Sequence, residues 1–145
     1  MLIKIRNNTF ETNSSSTHTI AIGTANDFAE WKAGTKYFDR YNAKFVSSEE
    51  ALGHIKVNDK DMAEYWDLET DNDKILWLSK WRDIPTDCLD PEDLKTFEGE
   101  VRQDCGYLAY NDWFDWYCYL DTTSGDFVTP GGETVHYICA YGYDG

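Results

Sequence analysis

The sequence has few basic residues to set against its acids. Among 145 residues, 13 are Lys or Arg and 27 are Asp or Glu, a formal balance of 13 − 27 = −14. With a sequence pI near 4.4, direct binding to DNA, RNA or an anionic membrane is disfavoured, because such partners are held by Lys and Arg on phosphates. A basic protein partner suits the charge. So does the plainer role of acidity, keeping a small protein soluble. Apolar runs are short, none near the ~20 residues of a membrane span. The opening MLIKIRNN holds two charges and no apolar stretch of the signal-peptide kind. These absences set the expectation of a soluble, cytoplasmic protein.

Several motifs are missing as well. No CxxC or HxxxH spacing occurs, and no Walker loop, GxGxxG turn or GxSxG elbow. A nucleotide site and a serine-hydrolase site therefore have no support from pattern. Ser14, Ser15, Ser16 and Thr17 stand beside His18, but adjacency in sequence does not bring a nucleophile within ~3 Å of a base. Polar capping of a loop explains them. No catalytic residues are assigned, and the expectation is a protein that is not an enzyme.

Aromatic residues are plentiful, at 16% of the chain within a hydrophobic share of 41%. Disordered acidic chains are poor in aromatics, so a folded core is expected. A chain of this length buries roughly 70% of its unfolded surface, enough for a real core. Alternation in LIKIR and in THTIAIG reads as two N-terminal strands. Thr24 or Asn26 caps a short helix carrying Phe28 and Trp31, which Gly34 stops. The aromatic stretch from Lys36 to Val46 reads as one or two strands.

Helices follow. Ser47 with Glu50 fits a capping box for a helix to about His54. Asn58 or Asp59 caps a segment with Met62, Tyr65 and Trp66. Asp71 caps a stronger helix through Leu78 to Trp81 or Arg82, with Trp77 and Trp81 on one face and Pro85 ending it. Asp90-Pro91-Glu92-Asp93 starts another, turning Leu94 and Phe97 inward.

Residues 113 to 121 and 134 to 143 then alternate as strands, with a short strand at Phe127 and Val128. In the first of these, Phe114, Trp116, Cys118 and Leu120 make the better core face. The other face would present Trp113, Tyr117 and Tyr119 around Asp115 as a hot spot for a basic surface, unless the strand is buried on both sides. The whole is expected to be α+β, a single domain with N-terminal strands, central short helices and a C-terminal antiparallel hairpin or meander.

The acids are unevenly placed. Residues 1 to 46 hold 6 bases and 4 acids, and residues 47 to 145 hold 7 bases and 23 acids. The densest run is Asp59, Asp61, Glu64, Asp67, Glu69, Asp71 and Asp73, facing only Lys60. These seven carboxylates are the candidate partner-binding residues. Solvated helix faces are the plainer explanation.

Four cysteines and three histidines supply enough soft ligands for one structural zinc. The expected ligands are His18, Cys88 and Cys105 on loops, with Cys139 ahead of Cys118 as the fourth. Free thiols packed as small apolar groups are the alternative.

The opening IRNNTFETNSSSTHTIAI resembles a motif of small phage and mobile-element proteins of Gram-positive bacteria, which carry a stretch like FETNSSSTHS near the start. The match covers Ile5 to about Ile22. Together with small size and acidity, it resembles the anti-CRISPR proteins that act on type II-A effector nucleases. Some members of that class are acidic and bind Arg- and Lys-lined surfaces, and at least one is a zinc-binding protein. The resemblance implies a non-enzymatic inhibitor in the bacterial host cell that blocks target-DNA loading or cleavage. It carries no contact residues across. The alternatives are an acidic phage module against another host nucleic-acid-binding protein and, behind it, a metal-dependent hydrolase using His18 and acids.

Overall fold

A computed structural model describes residues 16–143. The strand expected over residues 2 to 6 lies outside the described residues. The fold is α+β, with six α-helices, one short 3-10 turn and two small sheets among the described residues. The chain forms two compact units. One is continuous, Ser48–Tyr107, and interrupts the other, which is drawn from the chain up to Ser47 and from Leu108 on.

The interrupted unit is built on an antiparallel sheet of order β1-β6-β5, with β1 at Ser16–Thr24, β5 at Asp121–Val128 and β6 at Thr134–Tyr143. Ile20 faces Cys139 and Ala21 faces Ile138 across β1 and β6. Alternation sends Ala21, Ile138 and Ala140 into the core. The expected Phe127–Val128 strand is the end of a longer one.

Helix α1, Ala25–Ala33, forms where local signals place it. Thr24 accepts from the Asp27 amide while Asp27 accepts from the Thr24 amide, a reciprocal cap. Gly34 ends the helix at φ 84°, a conformation that costs glycine nothing. Asp27 also binds Lys36 at 2.7 Å. Burial pushes the Asp27 carboxyl up, but Lys36 and the Thr24 contacts outweigh it and hold the group below its ordinary value.

The stretch expected as one or two strands is two, β2 at Lys36–Asp39 and β3 at Lys44–Ser47. Buried Asp39 shapes the turn between them, accepting from the amides of Tyr41 and Asn42. The two-residue β4, Tyr107–Leu108, completes a sheet of order β3-β2-β4.

One expectation fails here. Residues 113 to 121 do not form a strand: Tyr110–Trp116 is helix α6 and a turn follows. Asp112 accepts from the Ala109 amide and secures the first turn. Tyr110 meets Phe114 at 5.0 Å and Trp113 meets Tyr117 at 5.1 Å, both at the helical spacing i,i+4. With an aromatic at nearly every position, either period fits the sequence, and tertiary burial selects the helical one. The expected faces hold for Leu120, which is buried, and Tyr119, which is exposed, and fail for Trp113, Tyr117 and Cys118. Trp113 and Tyr117 are buried, Phe114 and Trp116 are half-buried, and Cys118 is exposed. The proposed hot spot at Trp113 and Tyr117 is core.

Trp31 is the centre of this unit. Wholly buried, it meets Phe28, Phe38, Phe45, Tyr110 and Trp113 edge-on at 5.0 to 6.4 Å. Its Nε1 donates to the Leu108 carbonyl at 3.0 Å.

The continuous unit is helical: α2 Ser48–Asn58, α3 Lys60–Trp66, α4 Asp71–Arg82 and α5 Pro91–Asp104, with a 3-10 turn at Thr86–Cys88 before α5. Helix α2 runs one turn past the expected end at His54. Asp59 caps α3, and Asp90 caps α5 with Pro91 following it. The cap of α4 is Thr70 rather than Asp71, and α4 stops at Asp83, in left-handed conformation at φ 55°, before Pro85. Ile55, Met62, Tyr65, Leu78, Leu94 and Phe97 make its core.

Replacing Trp31 by Ala removes the ring that five aromatics share and orphans the Leu108 carbonyl. Urea unfolding of Trp31→Ala is expected to show a loss of about 3–5 kcal/mol. A loss below about 1 kcal/mol would contradict the central role of this side chain.

Candidate partner-binding surface

The continuous unit holds most of the net charge. Residues 48–107 have seven basic and seventeen acidic residues, a balance of −10. Four of the seven bases are already paired with carboxylates: Lys56 with Asp67, Lys74 with Glu98, Arg82 with Glu100 and Lys95 with Glu92, at 3.1 to 3.5 Å.

The seven candidate carboxylates all stand exposed on α3, α4 and the segment joining them. Their roles differ. Asp59 is a cap, accepting from the amides of Asp61 and Met62. Asp73 accepts from the Thr70 hydroxyl, and Thr70 accepts from the Asp73 amide in return. Asp67 holds Lys56. Three of the seven are thus occupied by local structure. Asp61, Glu64, Glu69 and Asp71 carry no ion pair among the described residues. Asp61 and Asp71 sit in first helical turns, where the helix dipole favours a negative charge.

Beside these acids lies an aromatic cluster that the sequence pointed to only in part. Tyr65 and Phe97 form its buried floor. Tyr65 touches Trp66, Trp77 and Phe97 at 5.0 to 5.2 Å. Trp77 and Trp81 are stacked, 5.5 Å apart with planes 15° from parallel, as their i,i+4 spacing predicts. Burial, then Glu98 and Asp71, push the Tyr65 hydroxyl well above its ordinary value. Tyr65 therefore stays neutral at all physiological pH, and Asp71 contributes to the field at the cluster.

The four expected zinc ligands divide between the units. His18 stands on β1 opposite Tyr141, and Cys139 on β6 opposite Ile20 and Thr123. Neither is on a loop as expected for His18. Cys88 is exposed at the end of the 3-10 turn, and half-buried Cys105 closes α5. Among the described residues, no group of three or more His, Cys, Asp or Glu side chains gathers as a metal ion requires. No helix among them is long and apolar enough to cross a membrane. Compared with family models, curated proteins and solved structures, the chain matches none.

Burial raises the thiols of Cys105 and Cys139, with Asp59 and Asp104 adding to the effect at Cys105. Both therefore hold less reactive thiolate near neutral pH. Cys88 and Cys118 are exposed. Maleimide labelling followed by peptide mapping is expected to modify Cys88 and Cys118 on the order of tenfold faster than the other two. Protection of Cys88, lifted by a chelator, would contradict this and point instead to metal ligation.

Proposed function

We propose that this chain is a non-enzymatic binding protein whose acidic helical unit engages a basic protein surface. The target proposed, on the phage resemblance, is a type II-A CRISPR effector nuclease. The observation that carries the binding reading is the set of four exposed carboxylates Asp61, Glu64, Glu69 and Asp71, without an ion pair among the described residues, within a unit of balance −10. Uncompensated charge of one sign raises the on-rate toward an oppositely charged partner. Effector nucleases of this kind hold the guide–target heteroduplex in a positively charged channel. An acidic protein seated on that channel, or on a basic lobe beside it, opposes DNA entry by occupying the cations that would neutralise phosphate.

A host nucleic-acid-binding protein of another kind offers the same basic chemistry and is the second reading. It is favoured if the nuclease is untouched. Nothing in the arrangement of the acids favours the metal-dependent hydrolase.

The test follows from the division of roles among the acids. Asp59 and Asp73 are left alone, because reversing them removes helix caps. The triple variant Asp61→Lys, Glu64→Lys and Glu69→Lys keeps the caps and weakens the field, taking the balance of the unit from −10 to −10 + 6 = −4. In a target-DNA cleavage assay with guide-loaded type II-A nuclease, its inhibition is expected to weaken by about tenfold or more at physiological salt. Circular dichroism checks that the helices persist. Unchanged inhibition by a folded triple variant would contradict the acidic surface.

A further inference from the structure

The acids give the partner its sign, but they do not say where it gains its tightest contact. On α4, a turn of 100° per residue spreads exposed Asn72, Leu76, Lys80, Asp73 and Trp81 over an arc of about 180°, with Trp77 half-buried within it. Leu76 and Trp81 are each 51% exposed. Trp81 is thus an indole half open to water, in a chain that buries Trp31 and Trp113 completely.

Trp81 is also held rigidly. Trp77 stacks on it and Phe97 meets it at 5.4 Å, so little side-chain entropy remains to be lost on binding. The cluster behind it already takes cations twice. Arg82 lies 4.6 Å over the Phe97 ring and 5.7 Å over Trp81 while paired with Glu100. Lys74 lies 5.7 Å over the Tyr65 and Trp66 rings while paired with Glu98. In both cases a carboxylate and an aromatic face hold one cation together.

Resting on the reading above, we infer that Trp81 is the anchor of this surface and receives an arginine side chain from a basic segment of the partner. Charge complementarity selects the occupant, since the unit that presents the ring has a balance of −10. Arginine fits better than lysine, because a planar, weakly hydrated guanidinium lies flat on an indole. The acids of the unit, Asp71 at the far end of α4 among them, attract the segment at long range, and the ring fixes its register. Lys80, on the same arc, directs the approach away from its own end of α4.

The experiment uses the full chain with two synthetic nonapeptides, one arginine-rich and one lysine-rich, and separately the guide-loaded nuclease. Tryptophan fluorescence and calorimetry report binding at low and physiological salt. The wild type is expected to prefer the arginine peptide. Trp81→Ala is expected to weaken binding of that peptide by about fivefold and to leave the salt dependence unchanged. Trp81→Phe, which keeps a ring, should recover part of the loss. Circular dichroism and thermal melting verify that both variants fold.

Equal affinity of Trp81→Ala and wild type for the arginine peptide overturns the inference, whatever the nuclease does. Trp81-dependent preference for arginine with no binding of the nuclease sustains the inference and retires the proposed target. Equal binding of the two peptides, with a loss in Trp81→Ala, makes the ring an apolar contact and overturns the assignment to arginine.

Discussion

A hydrogen bond from Trp31 to the carbonyl of Leu108 joins residues 77 apart in sequence. The unit that contains it is interrupted by the whole of Ser48–Tyr107. Its two chain segments must therefore find each other through contacts alone. Trp31 supplies one of these, an indole surrounded by Phe38 and Phe45 from one segment and Tyr110 and Trp113 from the other. The pairing of β1 with β6 closes the same gap by backbone hydrogen bonds. Without that closure the helical insertion would be attached to two loose ends.

Both units build their cores on aromatic residues and leave some rings exposed. In the interrupted unit most rings pack into the core, Trp113 of α6 among them, while Tyr41, Tyr119 and Tyr141 stay exposed. In the helical unit the cluster has a buried floor, Tyr65 and Phe97, and an open rim at Trp81. The charge is concentrated on the helical unit, with −10 of the −14 on residues 48–107. The exposed indole of Trp81 and most of the acids therefore lie on the same helical unit. That coincidence underlies the proposed role in recognition.

Local chemistry was legible in the sequence wherever one residue type satisfies a backbone group. Thr24, Gly34, Asp59 and the Asp90-Pro91 pair announced their helix ends because a cap needs no tertiary context. The Trp77–Trp81 stack was legible for a related reason, since i,i+4 spacing alone brings the rings together. Periodicity failed at residues 113 to 121, where aromatics fill both candidate faces and only packing around Trp31 and Leu120 selects the helix. The insertion was not legible either. Its first end, at Ser47–Ser48, carries no glycine or proline to mark a boundary, and Gly106 before the second reads as an ordinary helix stop. As for the acidic run, sequence gave its density but not its division of labour, because whether a carboxylate caps a helix or faces a partner depends on neighbours such as Thr70 and Lys56.

The most direct test of the account is a titration of the wild-type chain against guide-loaded type II-A nuclease at several salt concentrations. Opposed charged surfaces predict a Kd that rises steadily as salt screens them, with a lowered on-rate as the main change. Tight binding with no dependence on salt, or no binding at low salt, would contradict the claim that the acidic helical unit engages a basic surface of this nuclease.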